Sequence, residues 1–352
     1  METHVTAPDS LTGHALQEGE DEVGRHLTTL EGWRRFIADP PPPPALLPRA
    51  EHEALGDLER MLYDEARLDH HARLRVVATS TVRHAVTCGR RLVLLNRHAI
   101  SARRGLILSG LAGTGKTIAI TQLGRAHELL DQARHPGNRD RIPVVYITVP
   151  PAATARMIAA EFARFLGLPT RGRINITDII EAVVGVCTDT RTGLILVDEL
   201  HNISLTSRAG AEVADTLKYF SERIPATFVY AGIDIERSNL LSGTRGAQIA
   251  GRFTLLPTRP FPYSEEWAGL VATLEENLLL HDHRPGTLVA LDRHLHNRTG
   301  GMIGALSHQI RGAAIDAILT GTEKITKDSL DAVPLDHTAQ TNARTAPSGG
   351  RR

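Results

Sequence analysis

"GLILSGLAGTGKT", residues 105–117, is the stretch whose reading decides the fold. Residues 105–109 are a short apolar run bounded by glycines, as a strand buried on both faces requires, and the residues from Lys116 to about position 133 keep a helical period. Between them Gly110, Gly115, Lys116 and Thr117 complete the pattern G-x-x-x-x-G-K-[ST]. Glycines let such a loop curl until successive backbone N–H groups converge on one anion, and the positive end of the following helix faces the same point. The pattern predicts a phosphate cradle of Gly110, Ala112, Gly113, Thr114, Gly115, Lys116 and Thr117. Lys116 would reach the β- and γ-phosphates of ATP, and the Thr117 hydroxyl would complete the shell of a Mg²⁺ ion. Only four of the 40 basic residues are lysines, and one stands here.

Further strands are expected at 144–150, 194–199, 226–232 and 253–257, with helices at 152–166, 177–186 and 209–223 between them. Strands alternating with helices of ten or more residues predict an α/β fold with a five-stranded parallel sheet covered on both faces. The run "LILVDE" delivers Asp198 to the carboxyl end of a buried strand, where such sheets bind ligands. Asp198 would bind the metal through water, and Glu199 would polarise the water that attacks the phosphate. Transition-state charge also calls for an arginine, and Arg252 or Arg245, just before the last strand, could be supplied to a neighbouring subunit; Arg252 is preferred.

Beyond Pro262 strand signals stop. Ser264 reads as an N-cap followed by Glu265 and Glu266, and three or four helices are expected up to about Val333, the last opened by Thr326. Upstream, residues 1–30 are polar with an acidic "EGEDE" cluster, and five prolines from Pro40 to Pro44 exclude a helix interior. Residues 51–96 turn helical, with apolar positions at Leu55, Leu58, Met61 and Leu62 and again at Leu74, Val76, Val77, Val82 and Val86. From Arg67 to Arg104 nine arginines face one acid, Asp69, which is either a solvated helical face or a polyanion-binding surface. The expected organisation is an N-terminal arm at 1–30, a proline-rich and basic helical extension at 31–104, a nucleotide-binding core at 105–262, a helical lid at 263–333 and a polar tail at 334–352.

With 352 residues, 41% of them hydrophobic, the chain can bury a sizeable core. Lysine plus arginine equals aspartate plus glutamate, 40 against 40, so a polyanionic partner would have to meet a local patch. Cys88 and Cys187 are the only cysteines, which offers neither a disulfide framework nor a zinc site. The opening residues lack the apolar run of a secretory signal and no segment approaches 18 apolar residues, so a soluble cytoplasmic protein without a membrane partner is expected.

The order of phosphate loop, D-E strand, fourth strand, arginine before a fifth strand and small helical lid resembles the AAA+ ATPases. More narrowly, "VVYITVPPAATARMIAAEFARFLGLP", "LILVDELHNI", "GTRGAQIAGRF", "PFPYSEEW" and "TGGMIGALSHQIRGAAIDAILTGTEKIT" resemble the TniB family, TnsC-like regulators of DNA transposition. The resemblance implies a three-layer αβα core followed by an all-α lid, and a homo-oligomeric ring or filament on duplex DNA that selects a target and recruits or activates a transposase. DNA in such an assembly would be held by its phosphates without sequence readout. Two departures suggest slow or partner-stimulated turnover. The fourth strand ends "YAGID" without the polar sensor residue common there, Asp234 or Tyr230 being the available substitutes, and "GGMIGAL" places no arginine before Arg311. His201 resembles the family's histidine at that place, or simply hydrogen-bonds at a helix start. A nucleotide-switched signalling or defence module and a helicase loader or replication initiator are the alternatives within the same superfamily.

Overall fold

The computed structural model of the chain describes residues 26–38, 42–170, 174–203, 207–237 and 251–335. Arg245, the acidic cluster and most of the polar tail lie outside the described residues.

Five strands, β1 (Gly105–Gly110), β2 (Val144–Thr148), β3 (Leu194–Asp198), β4 (Thr227–Gly232) and β5 (Phe253–Thr258), form one parallel sheet in the order β2-β3-β4-β1-β5. Every residue of β1, β3 and β4 is buried, which is why these segments read as unbroken apolar runs. β5 is an edge, half exposed, and tolerates Pro257 opposite Ser109 because an edge strand can lack one donor.

Helix α1 (Leu30–Ile37) precedes α2 (Arg49–Ala54), α3 (Asp57–Ala72) and α4 (Ser80–Asn96); α5 (Lys116–Arg134) follows β1. Helices α6 (Ala155–Phe165) and α7 (Ile176–Asp189) join β2 to β3, and α8 (Arg208–Arg223) joins β3 to β4. The β1-to-β2 connection runs one way across the sheet while β2-to-β3 and β3-to-β4 run the other. Right-handed crossovers therefore place α5 on one face and α6–α8 on the opposite one. Helix α4 packs along α5 so closely that a Cβ on Gly89 would lie 2.2 Å from Leu123. Trp33 of α1 closes the same layer, with a Cβ on Gly124 meeting its ring at 2.6 Å and its indole Nε1 donating to the buried Glu128 at 3.4 Å.

A second apolar cluster lies in α9 (Glu265–Glu275), α10 (Thr287–Ala290), α11 (Asp292–Thr299), α12 (Ile303–Leu319) and α13 (Lys327–Ala332), around Trp267, Leu288, Leu295 and Leu306. These are five helices rather than three or four, because α10 and α11 are separate short pieces. Ser264 stands at the N-cap of α9 but donates its hydroxyl to Pro262 O, while Thr326 accepts from Ser329 N as a cap should.

The helical run expected over 51–96 is three helices. Gly56 separates α2 from α3, and residues 73–79, with β-branched Val76 and Val77, leave helix before Thr79 caps α4 by accepting from Val82 N. Leu58, Met61 and Leu62, which carried the period, are exposed, whereas α3 buries Arg67, His70 and His71. The Arg67 guanidinium is fully buried, donating to both Glu323 oxygens at 2.8 Å, to Asp64 at 2.6 Å and to Leu279 O at 3.2 Å. Arg311 Nε donates to His71 O at 2.9 Å and its Nη2 to Ala72 O, capping the carboxyl end of α3. Helix α3 is thereby fastened to the lid rather than to the sheet.

Candidate functional site

The loop after β1 takes its shape from glycine. Gly113 and Gly115 have φ of +76° and +86°, and a Cβ on Gly110 would stand 2.0 Å from Thr258 O on the neighbouring strand. Thr258 also supports the loop from outside: its Oγ1 donates to Ser109 O at 3.2 Å and lies 2.8 Å from Thr114 Oγ1. Helix α5 begins at Lys116, so its first backbone N–H groups open toward the loop. The Lys116 ammonium is buried and donates to Gly110 O at 2.9 Å and Leu111 O at 2.7 Å. Burial holds its pKa below the usual lysine value, against the opposing pull of Asp198, Glu199 and Asp234.

The two motifs meet through a side-chain bond, Thr117 Oγ1 donating to Asp198 Oδ2 at 2.6 Å. Asp198 is buried and also accepts from the Tyr146 hydroxyl at 3.1 Å and, through Oδ1, from Glu199 N at 2.8 Å. Burial, with the neighbouring Asp198 charge, raises the Tyr146 pKa, so the phenol stays a donor. Tyr146 escaped the sequence reading; its only signal was a hydroxyl-bearing residue inside an apolar strand that pairs with "LILVD".

Glu199 sits at φ +57°, ψ +35°, a left-handed conformation unusual for a glutamate, which turns the chain out of β3 and leaves its carboxylate 42% exposed. His201 lies 3.2 Å from Glu199 Oε2 through Nε2, while its Nδ1 accepts from Ile233 N at 3.3 Å. That backbone bond fixes the neutral tautomer with the proton on Nε2, donated toward Glu199.

A cavity of about 320 Å³ opens beside this loop. It is lined by the loop, by Glu199 and Ile233, by Leu74, Val76 and Val77 of the extended segment ahead of α4, and by Leu274, Ile303 and Ser307 of the lid. Ser307 Oγ is buried without a hydrogen-bond partner among the described residues. The lid touches the loop directly, Gly304 N donating to Gly113 O at 3.2 Å. Phe261 N donates to Gly301 O at 2.8 Å, and a Cβ on Gly301, at φ +74°, would strike Phe261 O at 2.2 Å. Gly301 is therefore the pivot at which the lid meets the chain leaving β5, and Gly300, also left-handed, ends α11.

Of the sensor candidates, Tyr230 is buried and stacks on Phe253 with centroids 4.7 Å apart, away from the loop, whereas the Asp234 charge is felt by Lys116. Arg252 precedes β5 beside Gly105, at the opposite end of β1 from the glycine loop. Six residues of strand separate them, about 20 Å, more than an arginine spans, so Arg252 cannot reach its own subunit's loop. Its guanidinium is 40% exposed, 3.6 Å from Glu222.

The paired Thr117 hydroxyl and Asp198 carboxylate are hard oxygen donors, and among the described residues no group of three His, Cys, Asp or Glu could cage a metal. That donor set fits Mg²⁺, which binds through one or two protein oxygens plus phosphates.

The family described as "TniB: Bacterial TniB protein" matches residues 68–263. Comparison with curated proteins finds no match. Among solved structures the chain is similar to the Aeropyrum pernix ORC2 protein in its ADP form, at 18% identity and TM-score 0.57, covering 78% of this chain and 72% of that one. It is similar to the Aeropyrum pernix ORC1 protein in complex with DNA at 17% identity and TM-score 0.51, over 85% of this chain and 68% of the other. Pyrobaculum aerophilum Cdc6p follows at 16% identity and TM-score 0.50, over 74% and 69%. At these identities the likeness shows the fold, that of AAA+ ATPases.

Proposed function

The chain belongs to the TniB family of AAA+ ATPases, and from that premise we propose that its ATP-bound form assembles on duplex DNA and regulates transposition, selecting a target and recruiting or activating a transposase in the cytoplasm. The observation that carries this reading is that three separated parts of the chain line one cavity: the phosphate loop, the extended segment ahead of α4 and the lid. A nucleotide filling it fixes the three relative to one another, and so can set the shape presented to a neighbouring subunit.

In this reading Lys116 leaves its loop carbonyls for the β- and γ-phosphate oxygens, and Thr117 and Asp198 hold Mg²⁺. The metal supplies charge neutralisation on those oxygens. Glu199 orients and polarises the attacking water, and the His201 Nε2–H holds its carboxylate in place. Gly110, Ala112, Gly113, Thr114 and Gly115 direct backbone N–H groups at the phosphates. Arg252, out of reach of its own loop, acts on the neighbour's nucleotide, where such a residue is worth about 10³ to 10⁵ in rate. With Arg311 committed to α3 and no arginine from Gly300 to Leu306, turnover alone is slow and rises with assembly.

Electron microscopy with long duplex DNA tests the assembly. Rings or filaments should form with ATP or a non-hydrolysable analogue and not without nucleotide; equal decoration in both conditions would remove the model.

A further inference from the structure

Helices α4 and α5 both run from the nucleotide cavity to a second, larger cleft at the opposite end of the sheet. Thr79, Thr81 and Val82 at the start of α4 line the first, and so do Lys116, Thr117 and Ile118 at the start of α5. The far ends of the same two helices line a cleft of about 700 Å³. Its charged walls are Arg90 from α4 and Arg97 just past its end, Arg134 from α5, Arg141 ahead of β2, Arg191 from the turn before β3, and one carboxylate, Asp131.

Asp131 is already taken: Arg141 grips it through two bonds of 2.7 Å, which holds its carboxyl below the usual range despite partial burial. Arg90, Arg97, Arg134 and Arg191 are all exposed and make no side-chain hydrogen bond or ion pair among the described residues. Arg191 also holds a left-handed backbone, φ +58°, where glycine would be unstrained. Four arginines without an ion-pair partner among the described residues, set around one cleft, present a positive patch that a polyanion long enough to engage them together would complement.

We infer that this cleft grips the phosphate backbone of duplex DNA, an inference that rests on the DNA-binding function proposed for the chain. The grip is sequence-independent, because guanidinium groups on separate rigid elements meet phosphates and not base edges. Helices α4 and α5 are packed side by side, and α4 alone spans 17 residues, about 25 Å. They act as struts, so that nucleotide at one end fixes the spacing of the arginines at the other.

The test uses the full chain, ATP with Mg²⁺, and a fluorescent 50-base-pair duplex of mixed sequence at several salt concentrations. The pairs Arg90→Glu with Arg97→Glu and Arg134→Glu with Arg191→Glu should each weaken binding at least tenfold. Each should also flatten the dependence of log affinity on log salt by about two, one for each phosphate no longer neutralised. ATP affinity measured without duplex should stay at the parent value in both. A control pair that lines no part of the cleft, Arg156→Glu with Arg208→Glu near the starts of α6 and α8, should leave the slope where it was. Cleft variants with parent affinity and slope, or a control pair that flattens the slope equally, would overturn the inference while leaving DNA binding itself intact. Absence of duplex binding by the unaltered protein would instead remove the reading beneath it.

Discussion

Glu199 and Lys116 are adjacent in the site yet should fail in different ways. Glu199 reaches the cavity only because its backbone adopts the left-handed conformation after β3. Glu199→Gln keeps the shape and can still accept from His201, but cannot polarise water. ATP turnover should fall by about 10² or more with ATP still bound, and assemblies on DNA should become long-lived; a steady-state phosphate assay with a filter-binding control checks both. That the loop at 110–117 meets the end of β3 was legible in the sequence, because glycines, lysine and a carboxylate at a strand end leave few alternatives. The supports were not. Tyr146 and Thr258 come from strands whose neighbours are set by the sheet order β2-β3-β4-β1-β5, which no local pattern encodes. The orphan hydroxyl of Ser307 became visible only once the lid was in place.

Among the elements, the lid and α3 depend on two unlike joints. At Gly301 the backbone is left-handed and pressed against Phe261 O, so Gly301→Ala should cost about 2 kcal/mol or more in stability and weaken ATP binding by displacing Ile303 and Gly304. Thermal unfolding and nucleotide titration of the variant check it. At Arg67 the joint is a buried ion pair with Glu323. Arg67→Met leaves that carboxylate without its cation and should cost about 3–5 kcal/mol in denaturant unfolding. The double variant with Glu323→Leu should recover most of that loss. The sequence showed that 51–96 is helical, but the apolar spacing of Leu58, Met61 and Leu62 pointed to the wrong face. Helix α3 is attached through Arg67, Arg311 and two histidines, and a hydrophobic period cannot report polar attachment.

Across the whole molecule, pH acts through groups buried at these packings. Burial pushes His71 and His127 down to about 4, so the folded protein keeps them neutral where the unfolded chain would already be protonated. Below about pH 6.5 the unfolded state binds the extra protons first. Stability is therefore full above that value and declines between 6.5 and 4, by on the order of 2–3 kcal/mol per histidine. The depressed carboxyls of Asp131 and Glu323 add a further loss below their ordinary range. Melting midpoints at pH 7.5, 6 and 5 should fall in sequence, and His71→Gln should flatten the series. Alternation of strands and helices gave the α/β class at this scale, whereas the packing of α1 through Trp33 against α5 depends on contacts across 95 residues and left no pattern to read.

The expectations for turnover and assembly require a triphosphate held between the loop at 110–117 and the lid, and calorimetric titration of the purified chain with a non-hydrolysable ATP analogue and Mg²⁺ asks for that alone. One molecule should bind per chain, and Lys116→Ala, folded to the same melting midpoint, should lose at least a hundredfold in affinity. No heat of binding from the unaltered protein, or equal affinity in both, would contradict the account.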